Sequence, residues 1–440
     1  MASQRRPNVL YIHSHDTGRY IQPYGYAVPT PHMQRLAEQG VLFRQAFCAG
    51  PTCSPSRAAL LTGQCAHSAG MIGLAHRNFR LADMKRHLAH TLHDAGYHCT
   101  LAGQQHVALN TQRGRDGLGY DEVLDVTDTH VAATAPAAAA WLAAGPREPF
   151  FLSVGFAETH RRFHPPGPQE DPRYCRPPAP LPDTPQTRED MAAFIASARV
   201  YDEGVGTVLA ALDAAGLADN TLVINTTDHG IAFPGMKCTL TDHGIGVMLI
   251  MRAPGGFVGG QVSDAMVSHV DVFPTLCEVL RIDPPAWLQG RSMMPLIRGD
   301  ADQINDEVFA EVTYHAAYQP MRAVRTRRWK YIRHFDGRSR PVLPNCDDSP
   351  SKKVWLAHGW RERPVATEEL YDLIFDPNEA HNLATDPDAA ALTEMRGRLD
   401  EWMKRTDDPL LAGQPVPAPS GAAYNDPDGL SPGEKVLTAP

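Results

Sequence analysis

The chain has 440 residues, 43% of them hydrophobic and 21% charged, with 41 Lys plus Arg against 50 Asp plus Glu and a formal net charge of −9. That composition is ordinary for a folded protein and excludes disorder along most of the chain. The acidic balance disfavours nucleic acid, whose phosphates need a basic face, and no run approaches the ~20 consecutive apolar residues of a membrane-spanning helix.

The predicted elements alternate over the first two-thirds. Asn8 to Ser14 is an apolar strand, and His32 to Gln39 reads as a helix stopped by Gly40. Strand Val41 to Cys48 and helix Ser56 to Thr62 follow, then helix Lys85 to Ala95 and strand Tyr97 to Ala102. The Ala-rich stretch Pro136 to Ala144 fits a helix with Pro136 in its first turn. Phe150 to Phe156 is a continuous apolar run, as a parallel strand buried on both faces requires. A long helical pattern covers Asp190 to Ala214, and strands follow at Thr221 to Thr227 and Val247 to Met251. The last third changes character. Val308 to Val312, Met321 to Thr326 and Trp329 to Arg333 read as short antiparallel strands, and Ala389 to Lys404 as a helix.

The pattern predicts an α/β fold: a large, mostly parallel sheet sandwiched by helices over residues 1–305, a small α+β lobe over 306–410, and an extended Pro- and Gly-rich tail over 411–440. Ligands bind at the carboxyl ends of strands in such sheets. Four polar clusters directly follow predicted strands: His13-Ser14-His15-Asp16, Gly103-Gln104-Gln105-His106, Glu158-Thr159-His160 and Asp228-His229-Gly230. They are expected to converge on one rim. Arg325, Arg327, Arg328 and Lys330 read instead as a solvated face, and the pair Asp242-His243 has no assignment. The polar, basic start is followed at once by a strand, which leaves no room for a secretory apolar region. A cytoplasmic protein is the expectation, and its eight cysteines match neither a zinc knuckle nor a disulfide scaffold.

Chemistry concentrates in Pro51-Thr52-Cys53-Ser54-Pro55-Ser56-Arg57, which runs through Ala58-Ala59-Leu60-Leu61 to Thr62-Gly63. Pro55 suits a helix start, which places Cys53 where free N–H groups and the helix dipole favour an anion. Arg57, four residues on, is expected to reach back to the same point as a forked donor.

This segment resembles the signature of the sulfatase family: Cys-X-Pro-X-Arg, then a short helix ending in Thr-Gly. The likeness extends to Thr30-Pro31-His32 and Gly40-Val41-Leu42-Phe43-Arg44 early in the chain, and to Glu369-Leu370-Tyr371-Asp372-Leu373 with Asp376-Pro377-Asn378-Glu379 late in it. His67, Gly70, Met71, Asp228 to Pro234 and Tyr318 to Arg322 are similar to the sulfamidase (heparan N-sulfatase) branch. The resemblance implies an alkaline-phosphatase-like fold and conversion of Cys53 to formylglycine by a formylglycine-generating enzyme. Once hydrated, that aldehyde carries two hydroxyls, one to attack sulfur and one to expel sulfate afterwards.

Position by position, the resemblance makes Cys53, Arg57, His106, His160 and Lys237 catalytic. His106 serves the formylglycine hydroxyl, while His160 and Lys237 serve the leaving group. It implies a divalent metal held by His15, Asp16, Asp228, His229 and residue 53. His15 and His229 stand where the family has oxygen ligands, so manganese or another transition metal is favoured over calcium. Gln104 occupies the place of a family lysine. Gln104, Glu311, His315 and Arg322 are candidate substrate contacts. The implied substrate is a small anion: a sulfate ester or sulfamate, or, in the alternative of a phosphonate monoester hydrolase or phosphodiesterase with the same nucleophile, a phosphonate or phosphate diester. A third reading is an inactive, anion-binding relative. The sequence leaves the oligomeric state open, a homo-oligomer included.

Overall fold

A computed structural model describes residues 6–109, 111–254, 256–385 and 389–440. Its centre is an eight-stranded sheet of β1 (Asn8–His13), β2 (Val41–Phe47), β3 (His98–Gly103), β4 (Glu122–Val123), β5 (Phe150–Gly155), β6 (Thr221–Thr226), β7 (Leu249–Arg252) and β8 (Gln261–Ser268). The spatial order is β4-β3-β5-β1-β6-β7-β2-β8. All pairings are parallel except those of β7, which runs antiparallel to both β6 and β2. Every residue of β1, β5 and β6 is buried, which explains their unbroken apolar runs.

Alternation along β1 divides the core into two layers. Val9 and Tyr11 pack with Ala58, Leu61, Leu92 and Phe273, from helices Cys53–Thr62, Leu88–Asp94 and Val272–Leu280. Leu10 and Ile12 pack with Met33, Ala135 and Tyr201, from helices Pro31–Gln39, Val131–Ala143 and Pro185–Ala214. The last of these spans 30 residues and is capped by a reciprocal pair: the Thr187 amide donates to Thr184 Oγ1 (3.3 Å) and the Thr184 amide to Thr187 Oγ1 (3.0 Å). Helix Val131–Ala143 corrects the expected start at Pro136. Pro136 lies inside the helix, whose exposed side tolerates the missing backbone donor.

The small lobe is an antiparallel sheet of β9 (Glu307–Tyr314), β10 (Tyr318–Thr326), β11 (Trp329–His334) and β12 (Glu368–Asp372), in the order β12-β11-β10-β9. Helix Ala389–Arg405 covers it, packing Met395, Leu399 and Trp402 against Val324, Tyr331 and Leu370.

Two expectations change here. Arg325 and Lys330 are not a solvated face: Arg325 pairs with Asp242 at 3.0 Å, and the fully buried Lys330 with Asp242 at 2.5 Å and Glu379 at 3.3 Å. Glu379 also accepts the Asp242 amide, so the late acidic segment and Asp242 together lock the lobe to the main domain. Residues 411–440 do not trail as an extended tail. They form the hairpin β13 (Ala423–Asn425) and β14 (Val436–Thr438), which packs back on the body because its polar backbone finds partners there. The Asn425 amide donates to the Ala316 carbonyl (2.7 Å), and Arg77 donates to Asn425 Oδ1 (2.8 Å).

Candidate active site

Strands β3, β5, β1 and β6 are neighbours in that order, so the four polar clusters that follow them meet at one carboxyl-terminal rim. Backbone bonds stitch the loops together. The His15 amide donates to the Glu158 carbonyl (2.9 Å), the Thr159 amide to His15 O (2.8 Å) and the Gln104 amide to Gly155 O (2.9 Å). Asp16 and His106 adopt left-handed backbone, with φ of 52° and 55°. Such conformations cost about 1–3 kcal/mol each and persist where surrounding bonds over-determine them. For Asp16 one such bond is from its own amide to Asp228 Oδ1 (2.8 Å).

Helix Cys53–Thr62 brings the fifth component. All ten of its residues are buried, and Ser56 Oγ pins it to the rim by donating to the Asp228 carbonyl (2.5 Å). Cys53, its first residue, is 2% exposed, with Sγ 3.4 Å from His229 Nε2. Ligand atoms of His15, Asp16, Cys53 and Asp228 all lie within 4.8 Å of one another. His229 Nε2 joins them, 3.4 Å from Asp16 Oδ1 and 3.8 Å from Asp228 Oδ2.

These atoms lie close together, and two of them are not used up by hydrogen bonds within the group. His15 Nδ1 is 2.9 Å from Asp228 Oδ2, yet neither it nor Asp16 Oδ1 has a hydrogen-bond partner. Buried polar atoms are rarely left so. Orphaned nitrogen and oxygen lone pairs this close together fit a cation, and the mixed imidazole–carboxylate set is one that transition metals accept.

The electrostatics agree. Burial pushes the Asp16 and Asp228 carboxyls up, but Lys237 at Asp16, and His229 and Arg57 at Asp228, more than offset it, so both titrate below the ordinary range. Burial lowers His15 and His229, and the two carboxylates reverse this, to about 10 and about 9. The Cys53 thiol is raised by burial but brought well below its usual value by Lys237 and by His106, His15 and His229. The pocket is thus built to hold anionic donors, and a metal ion there would take over the neutralising role that the protonated imidazoles otherwise play.

Arg57 corrects an expectation about its reach. Its guanidinium donates to Asp228 Oδ2 (3.0 Å) and Ser14 O (2.7 Å) and sits 2.5 Å from His13 Nδ1, so it holds the carboxylate of the rim rather than turning back to Cys53. His106 presents a buried, unpartnered Nδ1, while its Nε2 lies 2.9 Å from His76 Nδ1. The His160 ring stands edge-on to His15 at 5.3 Å, and its Nδ1 donates to the Arg161 carbonyl (2.5 Å). Lys237 Nζ lies between Asp16 Oδ2 (2.9 Å) and Asp347 Oδ2 (3.0 Å).

Of the four candidate substrate contacts, two reach the pocket. Gln104 Nε2 is 3.4 Å from His15 Nε2, and the buried His315 interacts with Cys53. Glu311 and Arg322 do not present themselves to a ligand. Arg322 is fully buried, donating to Asp408 (2.6 and 3.1 Å) and lying 3.3 Å from Glu311, which accepts from His67 Nδ1 (2.9 Å). Paired with each other, these charges tie the lobe's first two strands to helix Ala66–Ala69 and to the chain after Arg405. Asp347 and His76 escaped the sequence reading. Neither sits in a recognisable motif, and only tertiary contacts reveal them.

Comparison with known proteins matches this arrangement. The sulfatase family model covers residues 7–282, and the model of the C-terminal part of N-sulphoglucosamine sulphohydrolase covers residues 236–353. Human N-sulphoglucosamine sulphohydrolase is 32% identical over 92% of this chain and 92% of its own. A protein solved with its substrate D-glucosamine-2-N,6-O-disulfate superposes with a TM-score of 0.73, at 17% identity over 92% of this chain and 99% of the other. The phosphonate monoester hydrolase of Agrobacterium radiobacter superposes at 0.67, with 21% identity over 91% and 96%. With its signature cysteine at the head of a buried helix, facing His15-Asp16 and Asp228-His229 at two adjacent strand ends, the chain belongs to the sulfatase family.

Proposed function

We propose that the protein is a formylglycine-dependent hydrolase that removes the sulfo group from a sulfamate of the N-sulfoglucosamine kind or from a related sulfate ester. The observation that carries the reading is the position of Cys53, buried at a helix start within 4.8 Å of His15, Asp16 and Asp228. The human relative, named for N-sulphoglucosamine, points to the amino sugar. Formylglycine at residue 53, made by a formylglycine-generating enzyme, would supply an oxygen nucleophile, and a divalent metal would polarise the sulfo oxygens. His15, Asp16, Asp228 and His229 would hold that metal, and their two imidazoles favour manganese or a similar ion over calcium. Among this chain's own groups, Arg57 orients Asp228, His106 would act through Nδ1 as a base beside residue 53, and His160 would protonate the leaving atom.

A second reading, phosphonate monoester or phosphodiester hydrolysis, is favoured by His229 beside Asp228 and by Gln104 where a cation would serve a sulfo group. A third, an inactive relative, is opposed by the complete set of acid, base and ligand groups around Cys53. Intact-mass measurement tests for conversion of the thiol to the aldehyde. Turnover of aryl sulfate, sulfamate and phosphonate ester by the converted protein separates the first two readings. Cys53→Ala is expected to remove turnover while leaving the fold. Near-normal activity in that variant, or a preference for phosphonate ester, would sink the first reading.

A further inference from the structure

Asp347 follows the turn Leu343–Asn345 and precedes helix Pro350–Ala357, on the side of the pocket formed by the C-terminal part of the chain. Its Oδ2 is 3.0 Å from Lys237 Nζ, at an angle that leaves this buried oxygen without a hydrogen bond. Lys237 meanwhile donates to Asp16 Oδ2 at 2.9 Å. Asp16, His160 and His315 also act on Asp347, and the Cys238 and Cys346 thiols lie within its field. The pocket therefore holds a third carboxylate, outside the cation-binding group and beside the two residues placed at the leaving atom.

A carboxylate there opposes an anionic substrate unless something on the substrate side rewards it. What rewards it depends on the atom that leaves. When an S–O ester bond breaks, the leaving oxygen takes its proton from His160 or departs as a stable phenolate, and before cleavage it has no hydrogen to donate to Asp347. When an S–N bond breaks, the nitrogen keeps the electron pair and takes one proton from His160, while sulfur bonds to the oxygen nucleophile at residue 53. That nitrogen carries an N–H before and throughout cleavage, a donor that an ester oxygen lacks, and the released amine takes a second proton from water to become an ammonium with three donors and a positive charge. The free lone pair of Asp347 Oδ2 suits that donor.

We propose that Asp347 is a specificity residue that selects a sulfamate, the N-sulfo group of an amino sugar, over a sulfate ester by receiving the amine as it leaves. This rests on the sulfamate reading above, and the test keeps the two apart. Asp347→Asn preserves shape and removes the charge. The ratio of kcat/KM for N-sulfoglucosamine to that for nitrophenyl sulfate is expected to fall at least ~10-fold, with the aryl sulfate changed by less than ~3-fold, as loss of a close buried charge contact implies. An equal loss on both substrates overturns the proposal, since Asp347 would then only hold Lys237. Calorimetry supplies a readout that needs no turnover. The wild-type protein should bind glucosamine at least ~10-fold more tightly than N-acetylglucosamine, and Asp347→Asn should erase the difference. Equal binding of the two sugars by the wild-type protein overturns the proposal outright. If the wild-type protein prefers glucosamine yet does not hydrolyse N-sulfoglucosamine, the sulfamate reading fails while the amine site at Asp347 stands.

Discussion

Arg322→Met separates a structural role from a substrate contact. Arg322, Glu311 and Asp408 are 0%, 1% and 0% exposed. The arginine donates to Asp408 through Nε (2.6 Å) and Nη2 (3.1 Å) and to the Val312 and Met321 carbonyls through Nη1 (2.9 and 3.0 Å). Removing it leaves two buried carboxylates with His67 as the one charged partner in reach, 2.9 Å from Glu311 and 3.8 Å from Asp408, and with the Leu410 amide still donating to Asp408 Oδ1 (3.0 Å). Breaking a buried pair from one side costs about 3–5 kcal/mol. His67 offsets part of that, so about 3 kcal/mol is expected. With an unfolding entropy of ~2.1 cal/mol/K per residue, such a loss lowers Tm by about 3 °C in a chain of this length. The assay is paired calorimetry and kinetics at 25 °C. Tm should fall while kcat/KM stays within about 2-fold, because stability lost far above the assay temperature leaves the pocket intact. Adding Glu311→Gln and Asp408→Asn should recover part of the loss, since no unpaired charge then remains buried. An unchanged Tm with KM raised ~10-fold would refute the reasoning and return Arg322 to the substrate.

Chelation should abolish turnover, with manganese restoring it better than calcium; metal analysis that finds only calcium in the active protein would contradict the imidazole argument. His160→Ala should slow a sulfamate or alkyl sulfate by ~10²–10⁴-fold and an activated nitrophenyl ester much less, whereas His106→Ala should slow both alike; equal loss on both substrates in His160→Ala removes it as the acid. Burial pushes the Glu379 carboxyl up to about 7, with Lys330 only partly opposing it. A carboxyl whose folded value is raised contributes stability that is complete below about 4.5 and is lost as pH rises through about 7. Glu379→Gln should therefore gain in Tm relative to wild type above pH 7, and parallel Tm–pH curves would refute this.

The sheet was legible where the chain is monotonously apolar. Asn8–His13, Phe150–Gly155 and Thr221–Thr226 can only be buried strands, and parallel packing forces their trailing polar loops to one edge. Strand direction was not legible for Leu249–Arg252, because an apolar run reads the same either way. The edge strand Gln261–Ser268 is exposed over its first half and offers no alternation. Glu311 and Arg322 read as solvated or ligand-facing because a sequence does not show that they sit directly opposite each other in the β9–β10 register. Asp347 is more than 100 residues from every other pocket group except His315, so only folding brings it to Lys237.

The place of β1 in the sheet sets a clock on the chain's birth. β1 lies between β5 and β6, both of which follow it in the chain, so the centre of the sheet is incomplete until Thr226 has been added. From Cys53 to that point the ribosome adds about 170 residues, which at ~5–20 residues per second takes roughly 10–35 s. Once the sheet closes, the thiol is sealed beneath the rim at 2% exposure. Any protein that acts on Cys53 before closure has at least that interval in which to do so, and variants that delay closure of the sheet would lengthen it.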